Sequence, residues 1–274
     1  MAIDLPVAMI GATVQIEQPQ PDRGNVRVVG TGVLVSAPRP DGSPRTVLVT
    51  AGHVFDAMPG EVASVGFRLQ GPDGHWRYAP QRLSIRNGPV LQWVRNPDED
   101  VAVIAIQAPP EIARAAIPVS WLADDSSFQG GGIEPGDEMF VLGFPQGLAA
   151  NPEGFPILRA AHVASYPLIT TPSYPRFMLD VQVFEGMSGG PVFLASPIQR
   201  RPGDPISGVP YVVGLIAAAA TKYEWAFAIE APVVRRTIAI LDSPAAPAAS
   251  PTPAPFVMLP AMPTKASAAA DAPR

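Results

Sequence analysis

Short runs of branched and aromatic residues recur along most of the chain, each cut off by Pro, Gly, Asp or Asn, and this punctuation constrains the fold more than any other feature. With 35 prolines and 24 glycines in 274 residues, long helices have little room. Helical periodicity is scarcely visible before position 230. The pattern predicts strands from Ala8 to Glu17, Val26 to Ser36, Thr46 to Ala51, Val62 to Leu69, Trp76 to Leu83 and Val101 to Ile106. It continues with Glu138 to Phe144, Leu158 to Tyr166, Phe177 to Val181, Val192 to Leu194, Tyr211 to Ala220 and Trp225 to Ile229. About a dozen strands make an all-β protein, and they suit two antiparallel six-stranded barrels better than one small barrel.

Ala231 to Asp242 breaks the pattern: Val233, Val234, Ile238 and Leu241 can share a helical face while Arg235 and Arg236 project elsewhere. This predicts a C-terminal helix that closes a folded region of residues 1–242, with halves of about 1–120 and 121–242. Residues 243–274 are dominated by Pro, Ala and Ser, a composition that cannot offset its ordering entropy and is expected to stay disordered or extended. The apolar island Pro255 to Pro260 in that tail offers a protein partner a docking peptide, although a hydrophobic accident in a linker is the plainer reading.

The chain has no cysteine, so packing alone must hold the fold, and no thiolate serves as nucleophile or soft metal ligand. At 47% hydrophobic residues it can bury a sizeable core. The net charge of −5, with basic residues scattered rather than gathered into a stripe, argues against nucleic-acid binding. The N-terminus lacks a basic n-region, and no window approaches the roughly 18 apolar residues of a membrane span, so a cytoplasmic protein without membrane contact is expected.

Three histidines make the search for a general base short. His53 lies in VLVTAGHVF, after a strand and a glycine that lets the backbone turn. An isolated histidine there would ordinarily be a hydrogen-bonded structural residue. Asp100, in NPDEDVAVIAI, stands where acidic residues give way to an apolar strand. Acids commonly cap strands, but a carboxylate at that junction can be held partly buried against an imidazole, fixing its tautomer and stabilising the imidazolium. Ser188 lies in EGMSGGPVF, where flanking glycines allow a tight turn that exposes a hydroxyl and points backbone N–H groups at a developing oxyanion. His75, in GPDGHWRY, reads as a turn residue, and His162, in RAAHVASY, as a strand residue.

Taken in order, TAGH, DVAVI and GMSGGP resemble the trypsin-like, double-β-barrel serine peptidases, in their disulfide-free bacterial branch. The resemblance covers Val7 to Asp242 and implies a Ser-His-Asp triad of Ser188, His53 and Asp100, with the amides of Gly186 and Ser188 as oxyanion hole. In that arrangement His53 takes the Ser188 proton during attack on an acyl carbonyl and returns it to the leaving amine. It further implies Gln182 at the base of the primary specificity pocket and Ala217, Ala218 and Ala219 on its wall, with Trp225 near the returning strand. No acid at the pocket base means no pairing with a substrate Lys or Arg, so small or medium uncharged side chains are expected. Met187 replaces the acid that many digestive members carry before the serine, which implies activity without N-terminal processing.

Gly186 to Gly190 also satisfies G-x-S-x-G, but in α/β-hydrolases the histidine follows the serine, and here all three histidines precede it. No cofactor and no transition-metal site is expected, and Asp22, Asp73 and Asp98 read as solvated loop acids rather than calcium ligands. The expected function is that of a serine endopeptidase acting on polypeptides. Its alternative is a catalytically silent module that holds peptides in the same cleft.

Overall fold

The structure, a computed structural model, describes residues 4–20, 26–128, 132–168, 174–195, 212–220, 225–243 and 257–258. Its first element corrects the sequence reading, because α1 (Leu5–Ala12) is a helix where the first strand was expected to begin. Asp4 caps it by accepting the Val7 N–H (3.3 Å), and a proline sits in the first turn, where the lost N–H costs nothing. Leu5, Met9 and Ala12 are buried, and this helical spacing is hidden in the sequence by the equally apolar residues between them.

The first sheet contains β1 (Thr13–Gln20), β2 (Val26–Ser36), β3 (Thr46–Ala51), β4 (Val62–Gln70), β5 (Trp76–Ser84), β6 (Val94–Arg95) and β7 (Val101–Ile106), in the order β5-β4-β1-β2-β3-β7-β6. A short helix, α2 (Gly52–Asp56), follows β3. The second sheet contains β8 (Glu138–Gly143), β9 (Ile157–His162), β10 (Arg176–Leu179), β11 (Pro191–Leu194), β12 (Val212–Ala220) and β13 (Trp225–Glu230), in the order β9-β8-β11-β12-β13-β10. These pairings are antiparallel, and the sheets form two barrel-like halves. β9 stops at His162, short of the predicted end, and Ser165 instead turns its hydroxyl to accept the Met178 N–H (3.0 Å).

β3 and β7 are buried along their whole length, which explains why they read as unbroken apolar runs. Leu48 and Ile104 point into the first barrel with Leu34, Phe67 and Trp93. Their neighbours Val47, Val49 and Val103 face the other way, into a core continuous with Val192, Phe193 and Leu215 of the second sheet. One barrel therefore buries its outer face against the other, and the site lies along that junction.

The helix α3 (Ala231–Ile240) buries Val233, Val234 and Ile238, as its pattern predicts. Within it Thr237 accepts a hydrogen bond from Asn96 Nδ2 (2.9 Å), and just beyond it Asp242 takes a two-pronged ion pair from the buried Arg45 (2.7 and 3.0 Å). Most of residues 243–274 fall outside the described residues, and with them the expectation of disorder. Within the island, β14 (Val257–Met258) pairs antiparallel with β5. Among the described residues no helix is long and apolar enough to cross a membrane.

Candidate active site

His53 sits in α2, two residues after the end of β3, and Asp100 immediately precedes β7. These strands pair with Ala51 opposite Val101, so the register delivers the carboxylate to the histidine. Asp100 Oδ1 accepts the backbone N–H of His53 (2.8 Å) and Oδ2 meets Nδ1 (2.5 Å). This two-point grip fixes the ring's orientation and leaves Nε2 as the nitrogen available for proton transfer. Burial pushes the Asp100 carboxyl up, but the hydrogen bonds and charge of His53, reinforced by the Arg95 guanidinium, hold it below the ordinary carboxylate value.

The loop bearing Asp100 is itself anchored. Asn96 Oδ1 accepts the amides of Asp98 and Glu99 (both 2.9 Å), and Glu99 forms an ion pair with Arg176 of the second sheet (2.7 Å). Gly52 corrects the sequence reading in detail, since its φ is not left-handed and the backbone turn does not require glycine. What requires it is space: a Cβ there would lie 2.8 Å from Asp100 Oδ1 and 3.0 Å from Arg95 Cζ.

Ser188 is carried on a turn between Val181 and β11 whose shape does depend on glycine. Gly186 has φ +91°, and a Cβ on it would approach Phe144 O to 2.3 Å. Gly189 has φ +85° and lies against Thr31 O. The Glu185 carbonyl accepts the Gln146 N–H (2.6 Å), and because C=O and N–H of one peptide unit point in opposite directions, the Gly186 N–H faces away from Gln146. Among the described residues, neither the Gly186 nor the Ser188 amide donates to a protein acceptor, so both are available to an oxyanion.

Thr31 of β2, which the sequence analysis did not single out, clamps this turn from the other barrel. Its Oγ1 donates to Gly186 O (2.6 Å) and accepts the Phe144 N–H (3.2 Å), while its backbone N–H donates to Ser188 O (2.9 Å). In VRVVGTGVLVS nothing marks this threonine apart from an ordinary strand residue, because its partners lie more than a hundred positions away.

His53, Gly186 and Ser188 line one cleft of about 500 Å³, together with Val29, Gln146 and Glu185. Ser188 Oγ is not hydrogen-bonded to His53 in this structure. Gln182 and Ala217 do not line this cleft: Gln182 is half-buried, and Ala217 is buried at a bulge in the pairing of β12 with β13, while the side chains of Ala218 and Ala219 fall outside what the structure describes. His75 lies in the turn between β4 and β5, where Asp73 accepts its amide (3.1 Å), and His162 ends β9 on the outer surface. Asp98 lies in the loop before β7, and Asp22 is outside the described residues.

A model of the trypsin-like peptidase domain family matches residues 30–196. Among solved structures, the human heparin binding protein superposes with a TM-score of 0.54 at 14% identity, over 88% of this chain and 95% of that one, a likeness of fold. The Rv3671c protease from M. tuberculosis in its active form gives 0.48 at 21% identity, over 86% of this chain and 83% of that one. Protease Anisep from Arthrobacter nicotinovorans gives 0.47 at 16%, over 83% and 93%. No curated protein sequence matches the chain. The family match spans more than half of the sequence and takes in His53, Asp100 and Ser188, and the protein therefore belongs to the trypsin-like peptidase domain family.

Proposed function

We propose that the protein is a serine endopeptidase in which Ser188 attacks a peptide carbonyl, His53 is the general base and then the acid, and Asp100 orients His53. The observation that carries this reading is the convergence on one cleft of Ser188, an imidazole gripped at two points by Asp100, and two uncommitted amides at Gly186 and Ser188. Attack forms the Ser188 Oγ–carbon bond as His53 Nε2 takes the hydroxyl proton. Negative charge then collects on the former carbonyl oxygen, where the two amides stabilise it. The proton passes to the leaving nitrogen, the C–N bond breaks, and water repeats the sequence on the acyl-enzyme. Cleavage after small or medium uncharged residues rests on the family resemblance, which sets alanines at 217–219 on the pocket wall and no acid at Gln182, and not on the cleft lining, from which Gln182 and Ala217 are absent.

The test is labelling of the purified protein by a fluorophosphonate, read by intact mass, beside S188A and H53A. One adduct on the wild type and none on either variant is the expected result. The missing Ser188–His53 hydrogen bond favours one second reading, a silent module that holds peptides in the cleft. Such bonds commonly tighten only when substrate enters, so the peptidase reading is retained. A folded wild type that binds peptides but takes no label would decide for the silent module.

A further inference from the structure

Nothing in its local sequence sets Arg95 apart, yet its guanidinium reaches the centre of the site. β6 pairs with β7 with Arg95 opposite Ala102, which brings this side chain beside the residues that begin β7. One amine, Nη2, donates to Asp100 Oδ1 (3.2 Å), the oxygen that also accepts the His53 backbone N–H, and Nη1 is held by the Asp56 carboxylate of α2. The planar group lies over Gly52, at the position that any larger residue would fill. The glycine, the aspartate on the helix and the arginine on the edge strand thus form one built arrangement, drawn from positions 52, 56 and 95 of the sequence.

We propose that Arg95 is a positioning residue of the His53–Asp100 pair, holding Oδ1 in place so that Oδ2 stays directed at Nδ1. This inference rests on the catalytic reading above. A carboxylate can turn about its Cβ–Cγ bond, and two donors on Oδ1, one of them charged, oppose that rotation. The charged groups around the pair are Asp56 from α2, Arg95 from β6, Asp98 and Glu99 from the loop before β7, and Arg27 and Glu185 along the cleft. Of these, Glu99 is paired with Arg176 and Arg27 with Glu17 (both 2.7 Å), so Arg95 is the cation that touches Asp100.

The decisive experiment is a proton NMR measurement on the full chain in wild type, R95Q and R95K, following the His53 Nδ1–H resonance that its bond to Asp100 moves far downfield. In R95Q that resonance moves upfield or broadens into exchange with solvent, because Asp100 Oδ1 has lost a charged donor and the carboxylate turns more freely. R95K keeps the charge without the planar fork and restores the resonance only in part. The ring carbon protons of His75 and His162 keep their positions in all three proteins, which excludes a general loosening of the fold. Fluorophosphonate labelling near neutral pH falls about tenfold in R95Q, in line with the loss of one orienting contact. An unchanged His53 Nδ1–H resonance in R95Q, or an equal change at His162, overturns the inference. A wild type that takes no label overturns the catalytic reading instead, while the resonance still decides whether Arg95 governs the pair.

Discussion

Two histidines in this molecule are held by aspartates through the same pair of contacts, one in each barrel. His53 gives its backbone N–H to Asp100 Oδ1 and sets Nδ1 against Oδ2 at 2.5 Å; His162 gives its backbone N–H to Asp180 Oδ1 and sets Nδ1 against Oδ2 at 3.1 Å. Both arise in the same way, from a histidine at or just past the end of one strand and an acid at the end of another. Their surroundings differ. Asp100 is 23% exposed, touched by Arg95 and backed by an anchored loop, whereas Asp180 is 51% exposed and His162 lies on the outer wall of its barrel. Only the first imidazole shares a cleft with a serine and two uncommitted amides. A histidine–aspartate pair is thus a by-product that strand ends produce readily, and what the far side of the ring faces makes it a site.

The two pairs should differ most when the same side chain is removed from each. S188A and H53A are expected to lower hydrolysis of a peptide substrate by roughly 10⁴ to 10⁶-fold, the scale on which triad members act as a unit. H162A should leave the rate within about twofold, the range of an ordinary surface substitution. Comparable losses in H53A and H162A would show that the second pair takes part in turnover. Next in size, D100N leaves the ring without its ionic partner and favours the wrong tautomer, at a cost of about 10⁴-fold in kcat. D180N, measured in the same assay, should match the wild type.

The two pairs also show how far the sequence could be read. His53, Asp100 and Ser188 stand in local strings whose glycines and polar-to-apolar junctions carry their own physical sense, so they are legible without a structure. The strands were legible for the same reason, since burial on one or both faces imprints itself on every second residue. Three features were not. Helix α1 is disguised because the residues between Leu5, Met9 and Ala12 are apolar as well. Thr31 acts through partners more than a hundred positions away, and Arg95 meets Asp56 and Asp100 only because β6 folds back on β7; a lone arginine or threonine in a strand gives no local sign of what it will touch. Gly52 was legible as a glycine but credited to the backbone turn, because only the packed structure places a guanidinium above it.

A smaller effect is expected from the clamp that His162 has no counterpart for. T31V keeps the shape of the side chain and removes the hydroxyl, leaving Gly186 O without its donor and Phe144 N–H without its acceptor in a buried site. The loss should be about 1–3 kcal/mol of unfolding free energy, measured by urea denaturation. Labelling at Ser188 should slow by about tenfold as the amides of the turn lose their fixed aim. Destabilisation with an unchanged labelling rate would make Thr31 a packing residue with no bearing on the turn.

The smallest difference expected lies in acid stability, and it tests whether the two carboxylates are energetically distinct at all. The Asp100 carboxyl is held below its ordinary value of 3.8 in the folded protein, so its contribution is present in full above that pH and is lost as pH falls through the lowered folded value. Between neutral pH and roughly pH 3, wild type should therefore lose more unfolding free energy than D100N. The gap should be on the order of 1 kcal/mol or less, because Asp100 is about a quarter exposed and His53 nearly half, so solvent screens the pair. D180N should follow the wild-type curve, since an ion pair exposed on both sides contributes about 0–1 kcal/mol and much of that is lost in salt. If D180N flattened the acid dependence as far as D100N does, the two aspartates would be alike in energy. The distinction between the pairs would then rest wholly on Ser188 and the amides that face His53.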